Sequence, residues 1–265
     1  MVAHGEKGGL NFLYIAHAGF VLVLTIVASS AFIRLSAGVP DASVGAIEVA
    51  RVAHRISASV AGLLVLLIAG IVFTRDNRRL PDSALAGATL VVTLVLAWIG
   101  RYSGPDATAA VLVSNLTGGL ALSTLLWAVA ARQSVADDPA RPGASATLAF
   151  LTLVAVALQC VTGAMTVTEF VKVGPVHHAL GGVAFALCAW LGVRLVRSQG
   201  AGREEGYAVI ALAAFQAALG VAALALSLPL WLVLAHNVGA ALLLAALVQV
   251  TVKPAGAAKA GATSR

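Results

Sequence analysis

The chain has 265 residues, 60% of them hydrophobic and 11% charged, with a mean hydropathy of +0.96. A soluble domain of that length cannot hide so much apolar surface, so the composition excludes a water-soluble enzyme and predicts an integral membrane protein. The formal net charge of +6 is explained by the loops between apolar stretches, and no nucleic-acid-binding motif accompanies it.

Eight stretches reach the roughly 20 residues that a helix needs to cross the hydrocarbon core. They cover residues 11–34, 50–73, 83–102, 108–131, 146–168, 174–196, 206–227 and 229–251. The first is too long and too polar at its ends for a signal peptide and lacks a small-residue cleavage pattern, so it is expected to be retained. Charge and turn residues mark the breaks at Arg75 to Pro81, Arg132 to Pro142 and Arg194 to Glu205. Twelve Lys and Arg fall on the side of these loops and of both termini, and five on the other: Arg34, Arg51, Arg55, Arg101 and Lys172. The positive-inside rule then predicts cytoplasmic termini. The tail 253–265, rich in Ala, Gly and Lys, reads as a disordered cytoplasmic end within reach of anionic lipid.

One arrangement occurs at the start of each even-numbered span. A polar residue is followed three and four positions later by two small ones: His54 by Ser57 and Ala58, Asn115 by Gly118 and Gly119, His178 by Gly181 and Gly182, His236 by Gly239 and Ala240. Positions i+3 and i+4 lie one turn further along the same helix face, so a ring leaving residue i meets a wall cleared of bulk. A flat macrocycle such as haem needs that clearance. All four positions are expected within the first two turns of their spans, toward the outer face.

The distance from His54 to His178 is 124 residues and from Asn115 to His236 is 121. A four-helix unit therefore occurs twice, and the predicted fold is all-α, with eight transmembrane helices in two pseudo-symmetric four-helix bundles. Residues 1–135 form the first half, with an altered site; residues 136–252 form the second, with an intact haem site between facing helices.

Any one of these histidines could instead be an interhelical hydrogen-bonding residue, although intramembrane ionisable groups are costly and tend to be functional. His178 is preferred to His177 because Leu180 stands three residues after His177, where the ring would pass; His177 is left to reach a haem propionate or the outer water layer. The outer arginines, Arg55 foremost, could hold propionates. They could equally snorkel to headgroups or pair with Asp41, Glu48 and Asp106. His17, without the small-residue pattern, reads as a packing residue, and His4 lies in a polar tail. Trp98, Trp127, Trp190 and Trp231 read as packing or interfacial anchors. Cys160 and Cys188 fall inside spans and argue against a disulfide framework.

The eight-span layout, the pair His54-Arg55, the Gln-x-x-x-Gly runs Gln159–Gly163 and Gln216–Gly220, and the histidines of spans six and eight resemble the haem A synthase family. The resemblance extends to about residue 251. It implies a membrane oxidoreductase that oxidises the methyl group of haem O toward haem A. A b-type haem on His178 and His236 would carry electrons, and the substrate haem would sit at His54. It also implies a bacterial inner membrane and, as partners beside lipid and haem, respiratory-complex subunits or haem O synthase.

Three positions depart from the family pattern. Asn115 replaces the fourth-span histidine, and an amide is a poor ligand for haem iron. Arg51 stands where the family has a glutamate, Glu48 being on another face. The cysteines are not in outer loops. If haem binds the first half, His54 alone leaves iron five-coordinate; if not, the polar residues there bond between helices. A b-type cytochrome that relays electrons or anchors a respiratory assembly is the competing expectation.

Overall fold

The computed structural model describes residues 6–36, 43–76, 79–104, 107–133, 144–166, 173–198 and 202–252. They form eight helices: α1 (Glu6–Ser36), α2 (Val44–Thr74), α3 (Leu80–Gly100), α4 (Ala109–Gln133), α5 (Ala144–Thr166), α6 (Gly174–Arg197), α7 (Arg203–Ala225) and α8 (Leu230–Val252). Each is long and apolar enough to cross a membrane, and the described residues contain no strand. The chain is thus an all-helical integral membrane protein, as its composition requires: without water to satisfy them, backbone amides in a bilayer must bond within their own segment. Hydroxyls do likewise, Thr89 donating to the Leu85 carbonyl at 2.8 Å and Thr152 to that of Leu148 at 2.7 Å.

The helices match the expected spans within a few residues, except at α2. That helix starts at Val44 rather than near residue 50, because Ser43 caps it by accepting the Ala46 amide at 3.4 Å. His54 consequently lies in the third turn of α2, not within the first two. Prolines open α3 and α6 at Pro81 and Pro175, where their missing amides cost nothing. The α7–α8 turn is tight: Ser227 and Leu228 both adopt φ of 60°, a left-handed conformation that L-residues resist, and the Leu228 amide closes the helix end on the Ala223 carbonyl at 2.6 Å.

Packing repeats. In the first half α1 packs on α2 and α4, and α3 on α2 and α4; in the second, α5 packs on α6 and α8, and α7 on α6 and α8. Among the described residues the diagonal pairs α2/α4 and α6/α8 do not pack directly. The halves join through α4 with α8, α1 with α8 and α4 with α5, so exchanging the halves maps each joint onto a joint. The joint between α4 and α8 brings Leu126 and Leu247 into the core. Trp127 crosses it, donating to Gln249 Oε1 at 3.2 Å and packing on His17 and Phe20. His17 is therefore a packing residue at the joint between halves.

Opposite the end where the even-numbered helices begin, Arg132 binds Asp82 at 2.5 Å, tying α4 to α3, and Arg75 lies over the Phe12 ring. Cys160 and Cys188 are free within α5 and α6. Trp98, Trp190 and Trp231 are exposed, as anchors would be. His4, Asp41, Asp106, Arg141, Lys172, the boundary at 135/136 and the tail 253–265 lie outside the described residues.

Candidate functional site

The best-defined polar cluster lies where α5, α6, α7 and α8 converge, at the end where α6 and α8 begin. His177, in the first turn of α6, points toward α5. Its Nδ1 donates to the Gln159 carbonyl at 3.0 Å, and Thr162 Oγ1 stands 3.4 Å away. A carbonyl can only accept, so this contact puts the proton on Nδ1 and leaves the lone pair on Nε2. The Gln159 amide nitrogen lies 3.3 Å from Nε2, in position to donate to it. Gly163 makes room for the ring: a Cβ built there would stand 2.7 Å from His177 Cε1.

His236, in the second turn of α8, is held in the corresponding way by α7. The Gln216 amide nitrogen lies 3.3 Å from His236 Nε2 and donates to the His236 carbonyl at 3.0 Å, while a Cβ on Gly220 would stand 3.1 Å from His236 Cε1. Each Gln-x-x-x-Gly run therefore places an amide and a bare backbone one turn apart, the amide on a histidine nitrogen and the glycine under its ring. The helices that carry His177 and His236 do not pack directly on each other. Two buried atoms here lack hydrogen-bond partners, Gln216 Oε1 and His236 Nδ1.

His178, by contrast, is exposed, its ring 5.8 Å from that of His177. The structure turns His177, not His178, to the interior. The preference for His178 rested on Leu180 lying in the ring's path, but the His177 ring leans toward α5 over Gly163 rather than along its own helix. The clearance expected from the small residues is likewise uneven. Gly182 has nothing within 4 Å of a built Cβ, and Gly181 has only Gln159 Nε2 at 3.5 Å. Gly239 is instead packed against Gln216, and Gly118 against Leu96, so these two serve helix approach.

With His177 as reference, the first half repeats the second in detail. His54 Nδ1 donates to the Ile26 carbonyl at 3.3 Å and lies 3.4 Å from Ser29 Oγ, as His177 does with Gln159 and Thr162. An offset of 133 residues separates Ile26 from Gln159 and Ser29 from Thr162, and 120 separates Leu96 from Gln216 and Gly100 from Gly220. Both glutamine positions are thus aliphatic in the first half. Asn115, in the register of His236, donates to Ser103 Oγ at 2.5 Å. Sequence reasoning missed Ile26, Ser29, Leu96 and Ser103, because the offsets of 124 and 121 residues between the even-numbered helices do not carry over to α1 and α5, where the offset is 133, or to α3 and α7, where it is 120.

The arginines divide. Arg51 pairs with Glu48 at 2.7 Å on the exposed surface of α2, Arg55 and Arg101 are exposed, and Arg34 keeps a buried Nε with no hydrogen-bond partner. No group of three or more His, Cys, Asp or Glu that could hold a metal ion by themselves occurs among the described residues.

The fold and this cluster define an eight-helix membrane protein built from two repeats, with histidines held in register by the helix preceding each of them. Residues 166–248, from the end of α5 through most of α8, match the family described as cytochrome oxidase assembly protein, COX15-CtaA. That match supports the resemblance to haem A synthases and covers His177, His178, Gln216 and His236. No curated protein gives a significant match.

Proposed function

We propose that the chain is a haem A synthase-type membrane oxidoreductase whose second half holds a b-type haem between His177 and His236. The carrying observation is the paired geometry: two histidines on non-adjacent helices, each with its Nε2 engaged only by a glutamine side-chain amide, which would swing aside when iron takes that lone pair, and each with a glycine under its ring. Imidazole nitrogen is a good ligand for iron, and at His177 the Nδ1 bond to the Gln159 carbonyl fixes the tautomer that ligation needs. The orphaned His236 Nδ1 also fits a site whose polar partners include a bound group. Haem bound there would supply reversible one-electron storage.

The chain's own residues orient and enclose. The Gln159 carbonyl holds the His177 imidazole, Gly181, one turn after His177, leaves a wall without a side chain, and the apolar helices exclude water. Arg34, with its unpartnered Nε, and the exposed Arg55 suit the carboxylates of a porphyrin. In the first half, by the family resemblance, His54 would position the substrate haem.

A second reading is favoured by Ile26, Leu96, Asn115 and Arg51, which remove polar groups that the other half or the family pattern has. In it the protein is a b-type cytochrome that relays electrons to, or anchors, a respiratory assembly. Extraction and typing of the haems in purified protein separates the two. Haem B together with haem O or haem A supports synthesis, haem B alone supports electron transfer, and protein that binds no haem contradicts both.

A further inference from the structure

The two halves present the same histidine in the same setting but differ across from it. His54 keeps the Nδ1 bond to a carbonyl of the preceding helix and a neighbouring hydroxyl, as His177 does. No hydrogen bond among the described residues engages its Nε2, whereas the Nε2 atoms of His177 and His236 each face a glutamine amide. Its facing helix offers Asn115 in place of an imidazole. An amide nitrogen has no free lone pair and an amide oxygen is a weak ligand for haem iron, so Asn115 cannot close an iron site as His236 can. Its Nδ2 is turned to Ser103 Oγ, which gives the amide a fixed polar anchor. The Leu96 side chain against Gly118 lies where Gln216 lies against Gly239, so it fills no space that is free in the second half. As with α6 and α8, α2 and α4 do not pack directly.

We propose that the first half is a one-imidazole haem site, with His54 as the protein's ligand and the coordination position on the Asn115 side open to a small exogenous ligand of the diatomic or cyanide class. The proposal rests on the reading of the chain as a haem protein. It makes the halves chemically unequal: the second is closed by two histidines and suited to electron storage, the first is open and suited to ligand binding.

The test uses the purified full chain titrated with haemin, reduced, and exposed to carbon monoxide, with haem counted by pyridine haemochrome. The expected result is about one low-spin haem that ignores carbon monoxide and about one that binds it, since five-coordinate ferrous haem is the form with a free position. His54→Ala should remove the carbon monoxide difference spectrum and keep the low-spin one. Asn115→His should also remove it while keeping the haem count, because the added imidazole fills the open position. A low-spin haem with no carbon monoxide signal, or a signal that persists undiminished in both variants, overturns this inference and leaves the second-half haem standing. Failure to bind any haem, low-spin included, overturns the haem reading itself and this proposal with it.

Discussion

At the scale of single residues, the second-half histidines are set less by their own helices than by glutamine and glycine on the helix before. The Gly163 contact is the tightest test of this, because the built Cβ falls 2.7 Å from the His177 ring and a larger side chain must push the ring aside. Gly163→Val should lower the low-spin haem content severalfold while the protein still inserts, since valine is well tolerated in a membrane helix. The readout is the haem-to-protein ratio after purification. Gln216→Leu is different in kind. It removes two hydrogen bonds to His236, one at the ring and one at the carbonyl, but also a buried orphaned oxygen, and bonds between membrane helices contribute about 1 kcal/mol or less each. Its thermal midpoint in detergent should stay close to that of the native chain, while the low-spin spectrum broadens or shifts as the imidazole loses its anchor. A large loss of stability would show that Gln216 is chiefly a packing residue.

The elements were largely legible because a bilayer leaves few choices: an apolar run of sufficient length becomes a helix, and the eight spans followed from hydropathy alone. What sequence periodicity could not supply was side-chain direction near a helix start. His177 and His178 differ by one residue, about 100° of helix, and only the packing of α5 decides which faces inward. The glycines divide for the same reason. Gly192 and Gly206 sit where α6 and α7 cross, and a Cβ on Gly206 would come 2.8 Å from the Gly192 carbonyl oxygen, an atom of the backbone that cannot step aside. Gly206→Val should therefore depress the thermal midpoint in detergent strongly, by an overpacking cost of about 1–3 kcal/mol. Gly181→Ala, whose Cβ would meet only the Gln159 amide nitrogen at an ordinary 3.5 Å, should leave the haem-free fold unchanged and reduce haem occupancy. If Gly181→Ala destabilises the haem-free chain as much as Gly206→Val does, the wall beside His177 is a helix contact and not a porphyrin surface.

At the scale of the molecule, the duplication organises both stability and function. The joints α1/α8, α4/α5 and α4/α8 are what a two-fold relation between halves demands, and the repeat was visible in sequence as the recurring polar-small-small pattern. In the structure His54 corresponds in its contacts to His177, one residue before His178, since both imidazoles bond a carbonyl of the preceding helix. The unequal distribution of Lys and Arg predicts that the ends of α2 and α6 where the histidines lie face outward. In a chain with Cys160 and Cys188 replaced by Ala, a membrane-impermeant maleimide added to intact cells should label Ser103→Cys and leave Ser198→Cys unlabelled until the membrane is opened. The reverse pattern would invert the topology and place both histidine clusters at the cytoplasmic face.

The claim on which the account turns is that His177 and His236, and not His178, are the axial pair of a b-type haem. Two imidazoles give low-spin, six-coordinate iron with a distinctive reduced optical spectrum and a low-spin paramagnetic resonance signal. The decisive measurement is that pair of spectra on purified His177→Ala, His178→Ala and His236→Ala proteins. The account predicts that the low-spin species is lost in the first and third and retained in the second. Loss in His178→Ala with retention in His177→Ala would contradict it.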